Sequence, residues 1–440
     1  MTLDNICEIY TILLENMDKE LLKSVLKDQK NDVLNYQIMV RPVYQTHDDM
    51  NYAFVGVRRA GKSYVMYQHI RDLIEQQVSW SEILYLDFED NRFDTFHSED
   101  FNKLLECHIE MYGQEPHYIF LDEVQNIPSW EKFVRRLADT KHRVYITGSN
   151  AKMLSREFLT TLGGRYLEKD IYPYSFREYI SAKGLTYNAL TQYDTKESSL
   201  IRKAYNDYLH EGGLPETMSL DVKRAYLNST FQKIYLNDIA SRNNISNIPA
   251  LRLMIKKLAE SVRQPISYNR LANILSTLGE KMSTTTIVSY VNHTEDAWLV
   301  LRLRNIAAAL SEKESICKYY FVDNGILNLF LLNGETALLE NMVALQLFRL
   351  FGHDKDNDTV YFYNNNGYEV DFYIPEQKWA IQVCYSLKDI DTRKREIAAL
   401  SKLPKVLDCE RRTIFTFDEE QTIEDEYGSI EVVPTWKWLL

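Results

Sequence analysis

Gly56-Val57-Arg58-Arg59-Ala60-Gly61-Lys62-Ser63 satisfies the pattern G-x-x-x-x-G-K-[ST] at each fixed position. Two glycines let such a loop double back with successive backbone N–H groups pointing inward, and no Cβ holds a polyphosphate away from them. Lys62 is expected to reach the outer phosphates and Ser63 to offer its hydroxyl to Mg2+. The helix that begins there turns its positive end toward the anion. Tyr52-Ala53-Phe54-Val55 precedes the loop as a short apolar run suited to a buried strand, and Met66, Ile70, Leu73 and Ile74 follow it at helical spacing. Strand, loop and helix therefore come in the order that a phosphate site requires. The expected nucleotide contacts are the loop from Gly56 to Ser63, with Val57 and Ala60 supplying backbone and Tyr64 next in line. Arg58 and Arg59 either contact phosphates or lie against the outer face.

From Asn51 to about Pro173, short apolar strands alternate with helical stretches, the pattern of a parallel α/β sheet. The expected strands are Tyr52 to Val55, Ile83 to Phe88, Tyr118 to Leu121, Val144 to Ile146 and Tyr166 to Ile171. Ligands of such sheets bind at the carboxyl ends of the strands. There, Asp122 and Glu123 follow four apolar residues; Asp122 is placed to hold Mg2+ opposite Ser63, and Glu123 to polarise a water for attack on a γ-phosphate. The next strand ends in Thr147-Gly148-Ser149-Asn150. Asn150 either senses the γ-phosphate or belongs to a polar turn. After Gly163-Gly164, Arg165 is a candidate for stabilising transferred charge, in its own subunit or a neighbour's, or else a surface arginine.

The chain has 440 residues, enough for two or three domains, with 45% hydrophobic and 26% charged residues, as in globular proteins. Its net charge of −12 excludes a surface that is basic overall, so any nucleic-acid contact has to come from a local patch. Five scattered cysteines without C-x-x-C spacing speak against a disulfide framework and a zinc site, and suit a reducing cytoplasm. The start of the chain lacks a basic leader, and no apolar run approaches the ~20 residues that cross a bilayer, so no membrane association is expected.

Taken together, the phosphate loop, Leu121-Asp122-Glu123-Val124-Gln125, Ile146-Thr147-Gly148-Ser149-Asn150, Gly164-Arg165-Tyr166 and Tyr172-Pro173-Tyr174-Ser175-Phe176-Arg177-Glu178-Tyr179 resemble the prokaryotic AAA-like ATPases that carry a C-terminal restriction-endonuclease-like domain of unknown function. The resemblance covers nearly the whole chain. It implies a P-loop NTPase of the division with an added strand and a catalytic glutamate, a central strand order of 5-1-4-3-2, and ATP with Mg2+ as cofactors. It also implies that Pro215, in Gly212-Gly213-Leu214-Pro215-Glu216, belongs to a helical lid near the adenine; Gly-Gly followed by Pro is equally a plain turn signal.

The expected organisation is an N-terminal helical segment over 1–45, a P-loop core over 46–180, a helical lid over 181–248, a winged-helix-like domain over 249–310 and an α/β restriction-endonuclease-like domain over 311–440. In the fourth, Thr284 to His293 would be the recognition helix, yet it contains no Lys or Arg to neutralise phosphates, which favours a protein-binding or structural module over DNA binding. In the last, restriction-type nucleases place an acid on a helix, an Asp on a strand and Glu-x-Lys on the next strand. Glu340 and Asp371 match the first two, but Gln382 and Cys384 stand at the Glu and Lys positions. A neutral ligand and a protonated thiol weaken that metal site, and the expectation is a nuclease fold without nuclease activity. The leading functional expectation is a Mg2+-dependent ATPase whose nucleotide state moves its C-terminal domains. A switch or scaffold with negligible turnover and an ATP-controlled DNA-binding regulator are the alternatives. Homo-oligomers, an unidentified protein partner and DNA remain the open partners.

Overall fold

The structure is a computed structural model that describes residues 17–46, 49–140, 142–149, 163–188, 191–353, 358–365 and 367–440. Contacts divide these into two units: the first runs to Gly56 and resumes over Gly61–Ile171, and the second comprises Val57–Ala60 and Tyr172–Leu440.

In the first unit, helix α1 (Lys19–Asn35) buries Leu22, Val25, Leu26 and Val33, the three- and four-residue spacing of one helical face. Residues 1–16 of the expected N-terminal helical segment lie outside the described residues. Strand β1 (Asn51–Val55) is buried along its whole length and feeds the phosphate loop and α2 (Lys62–Glu75). Then come β2 (Ile83–Asp87), α3 (Phe101–Tyr112), β3 (Tyr118–Asp122), α4 (Trp130–Asp139), β4 (Arg143–Gly148) and β5 (Tyr166–Asp170). The five strands are parallel in the order β2-β3-β4-β1-β5, which read backwards is 5-1-4-3-2. Gln29 of α1 covers the edge of β2, accepting from Asp87 N at 2.8 Å and donating to Asp87 O at 3.2 Å.

Register sets one edge of this sheet as the working edge. Asp87 aligns with Asp122, and Val55 aligns with Gly148, so the ends of β2, β3, β4 and β1 are level. The phosphate loop leaves from that row. Gly56 has φ +155°, and a Cβ there would lie 2.1 Å from Ile171 O; Gly61, at φ +96°, turns the chain into α2. Only glycine meets both demands.

The second unit opens with helices α5 (Phe176–Ala182), α6 (Thr195–Glu211) and α7 (Lys223–Lys233), the last running on as a π-helix over Ile234–Ser241. Gly212 and Gly213 follow α6. A Cβ on Gly212 would sit 2.2 Å from Asp323 Oδ1 and one on Gly213 2.2 Å from Tyr174 O, so close packing demands both glycines, and Pro215 opens a short 3-10 helix. Helices α8 (Ile248–Glu260), α9 (Tyr268–Thr277) and α10 (Thr284–Asp296) accompany a three-stranded sheet of β6 (Ile266–Ser267), β7 (Val300–Leu303) and β8 (Ile316–Phe321), with α11 (Leu310–Ser315) between the last two. Strand β8 pairs antiparallel with β7, Lys318 to Phe321 lying opposite Leu303 to Val300.

Short helix α12 (Asn324–Leu327) and α13 (Glu335–Phe351) lead into β9 (Tyr361–Asn365), β10 (Tyr368–Ile374), β11 (Trp379–Val383), α14 (Ile390–Lys402), β12 (Arg411–Thr416), β13 (Gln421–Asp425), β14 (Gly428–Pro434) and α15 (Thr435–Trp438). Their six strands form a mixed sheet in the order β13-β14-β12-β11-β10-β9, against which α13 and α14 pack. Among the described residues, no helix is long and apolar enough to cross a membrane.

Candidate active site

At the working edge, Lys62 heads α2 with its side chain only 5% exposed. Its Nζ donates to Gly56 O at 3.2 Å and lies 3.3 Å from Glu123 Oε1. Asp122 is buried at the end of β3 and is held by hydroxyls: Tyr85 donates to Oδ2 at 3.0 Å, Thr147 donates to Oδ1, and Ser63 bonds it as well. Burial first, and then the charge of Glu123, raises the Asp122 carboxyl above the usual range, while the bonds from Ser63 and Thr147 pull it back. Asp87, level with it on β2, is pushed up to about 8 by burial and by the Asp122 charge.

Glu123 adopts a left-handed backbone with φ +48°, which turns the chain sharply off the strand. Its N–H donates to Thr147 Oγ1 at 2.8 Å, and its Oε2 accepts from Gln125 Nε2. Thr147 therefore ties the two acids together with one buried hydroxyl, a role that the polar strand end did not suggest from sequence. Asn150 lies outside the described residues. Ser149 Oγ, also buried, has no hydrogen-bond partner among them.

The oxygens gathered here suit Mg2+. A hydroxyl on Ser63 and a carboxylate on Asp122 are hard donors, and Mg2+ keeps most of its shell for water and phosphate rather than for protein. No set of three or more His, Cys, Asp or Glu that could hold a metal occurs among the described residues.

The remaining expected contacts separate. Tyr64 stands on α2 and joins a tyrosine cluster, its ring 5.8 Å from Tyr36 and 5.4 Å from Tyr67. Arg165 precedes β5, whose Tyr166 aligns with Asn51 at the start of β1, so it sits at the amino edge of the sheet; its Nε bonds Asp139 at 2.5 Å. Within the second unit, the two loop arginines hold carboxylates. Arg58 grips Asp238 of the π-helix with two bonds of 2.9 and 3.1 Å, and Arg59 meets Glu216, next to Pro215, at 2.5 Å.

In the C-terminal sheet, Glu340 on α13 and Asp371 on β10 each lie 3.2 Å from the same cation. Gln382 accepts from Asp371 N at 2.8 Å and donates to Glu369 O at 3.1 Å, acting as a backbone brace. Cys384 is buried in a core cluster with Val370, Leu387 and Leu400, and burial drives its thiol far above the ordinary range. A cation is nevertheless present: Lys318 of β8 reaches both acids. This lysine comes from a different strand from the one that carries Cys384. The signal was a single lysine inside the apolar run Ile316-Cys317-Lys318-Tyr319-Tyr320-Phe321.

The parallel five-stranded sheet, its glycine loop and its paired acids define an AAA-like P-loop ATPase domain. Residues 49–180 match the family described as AAA domain, and residues 202–337 match a domain of unknown function, DUF8612. Uncharacterized protein MJ1544 of Methanocaldococcus jannaschii is 32% identical over 457 aligned residues that cover 100% of both chains. An uncharacterized protein of Haemophilus influenzae is 34% identical over 67% of this chain and 73% of its own. The chain belongs to the same family as the Methanocaldococcus protein. Among solved structures, the Walker-type ATPase PABY2304 of Pyrococcus abyssi matches 72% of this chain and 96% of its own at 12% identity and a TM-score of 0.39, a likeness too loose to carry weight.

Proposed function

We propose that the protein binds ATP with Mg2+ at this edge and hydrolyses it, and that the nucleotide state drives rearrangement of the C-terminal domains. The observation that carries the reading is the 3.3 Å approach of Lys62 Nζ to Glu123, beside an Asp122 whose oxygens are held by the hydroxyls of Tyr85, Thr147 and Ser63. Backbone N–H groups of the loop and Lys62 bind the β- and γ-phosphates. Ser63 and Asp122 would hold Mg2+, which when bound neutralises charge on the transferred phosphoryl group. Glu123 accepts a proton as the oxygen of water bonds to the γ-phosphorus. The bond from that phosphorus to the bridging oxygen breaks, and its electron pair leaves on ADP. Thr147 keeps Asp122 and Glu123 in register, Asn150 senses the γ-phosphate, and Arg165 acts from a neighbouring subunit.

For the rest of the chain we propose the helical lid over 181–248, the winged-helix-like module over 249–310, and a restriction-endonuclease-like domain over 311–440 that does not cleave nucleic acid. The grips of Arg58 on Asp238 and Arg59 on Glu216 support coupling of the phosphate loop to the lid, with Pro215 as its adenine contact. Phosphate release measured against protein concentration, with and without DNA, tests this reading. Turnover is expected to require Mg2+ and to rise more steeply than linearly with concentration. Absence of turnover at every concentration would leave the nucleotide-switch alternative in its place.

A further inference from the structure

A cavity of about 630 Å3 opens over the C-terminal acids, lined in part by Arg263, Glu369, Asp371, Gln382, Arg395 and Glu396. Deeper in, Lys318 has no exposed side-chain surface, and its Nζ lies 2.6 Å from Glu369 Oε1, 3.2 Å from Glu340 Oε1 and 3.2 Å from Asp371 Oδ1. An ammonium has three donors, and here three carboxylates receive them.

The other carboxylate oxygens are also engaged by protein. Glu340 Oε2 accepts from Arg263 Nε at 3.3 Å, while its Oε1 takes a second bond from Tyr320 at 2.9 Å; Asp371 Oδ2 accepts from Val383 N at 2.9 Å; Glu369 Oε2 accepts from Asn364 at 3.0 Å. Three acids from α13 and β10 thus converge as they would around a divalent ion, but the point of convergence is filled. Burial alone would discharge Lys318, yet the surrounding charges of Glu340, Asp371 and Glu369 hold its ammonium well above the ordinary range. A divalent ion would have to expel a fully buried, fully bonded cation to enter, and would then need oxygens at about 2.0–2.6 Å.

We propose that Lys318 is a built-in cation at a divalent-metal position: it closes the cluster to Mg2+ and Mn2+, and its removal opens a site formed by Glu340, Glu369 and Asp371. The C-terminal cavity consequently works without a divalent ion. Met is close to Lys in length and carries no charge, so K318M vacates the position without opening a large void. The test uses the full chain and Mn2+ alone as probe, counting bound ions by electron paramagnetic resonance in wild type, D371N, K318M and K318M/D371N. Wild type and D371N are expected to bind the same number, K318M one more, and K318M/D371N to lose that gain. Mn2+ should also raise the melting temperature of K318M by several degrees more than that of wild type.

An ion bound by wild type and lost in D371N overturns the proposal, as does a folded K318M that gains none. If K318M folds only when Mn2+ is present, the proposal is supported. If it does not fold under either condition, K318M/E369Q, which removes one acid along with the cation, carries the same count with Glu340 and Asp371 as ligands. Because Asp371 rather than Asp122 is the readout, failure here is distinct from failure of the ATPase reading.

Discussion

Two clusters in this protein each set a lysine among carboxylates, and they differ in where the cation stands. At the edge of the parallel sheet, Lys62 lies beside Glu123, while Asp122 is held by the hydroxyls of Ser63, Thr147 and Tyr85. In the C-terminal sheet, Lys318 lies between Glu340, Glu369 and Asp371 with none of its side chain exposed. Hydroxyl bonds to a carboxylate exchange readily for bonds to a metal or water, whereas a central ammonium does not leave without stranding three charges. The same residue types therefore make an exchangeable site in one sheet and a sealed one in the other.

The contrast breaks first at Lys62. Lys62→Ala is expected to weaken ATP binding by roughly a hundredfold or more, because a charge-assisted contact to the phosphates is lost. Titration with a fluorescent ATP analogue reads this directly, and near-normal affinity would remove the phosphate loop from nucleotide binding. Lys318→Ala is expected to leave ATP affinity unchanged and to destabilise the protein by about 3–5 kcal/mol, the usual result of stranding buried charge. Urea unfolding checks it; a loss below about 1 kcal/mol would mean that the acids are not relying on this cation.

A finer comparison concerns the hydroxyls. Thr147→Val keeps the shape of the side chain but unties Asp122 from Glu123, and is expected to lower turnover roughly tenfold with ATP affinity retained, at about 1–3 kcal/mol in stability. Equal losses in binding and turnover would make Thr147 a structural residue only. A further expected effect, on stability alone, is a pH dependence in the second unit. Asp323 is fully buried, and burial raises its carboxyl to about 6 although the N–H groups of Gly213 and Ile326 bond it. Folded Asp323 thus holds its proton above the pH at which the unfolded residue releases it. Its contribution to stability is complete below about pH 4 and is lost as pH rises to about 6, by about 3 kcal/mol at most. Asp323→Asn should flatten that part of the stability profile, measured as urea midpoints at pH 4 and 6.5.

Much of the first sheet is legible in the sequence because each part has a local signal. Apolar runs mark the strands, the glycine spacing marks the loop, and Asp122-Glu123 stands directly after four apolar residues. The cross-strand bonds are not legible in this way: Thr147 meets Asp122 through the register of β4 on β3, which no short window contains. The same reason hides Lys318, whose partners lie 22 and 53 residues further along the chain. Cys384 stands at the lysine position of the strand motif, but its thiol packs in the core, and position along a strand does not reveal such packing. For Arg165, a glycine turn and a following strand do not say at which edge of the sheet that strand begins, so its own subunit and a neighbour's stay equally open in the sequence.

The account rests on Glu123 as the group that turns a bound triphosphate into products. Its most direct test is single-turnover analysis of Glu123→Gln beside wild type, with radiolabelled ATP and Mg2+, separating bound from free nucleotide and ATP from ADP. The variant should hold ATP with undiminished affinity and convert it at least about a hundredfold more slowly than wild type. Conversion at the wild-type rate, or loss of ATP binding in the variant, would contradict it.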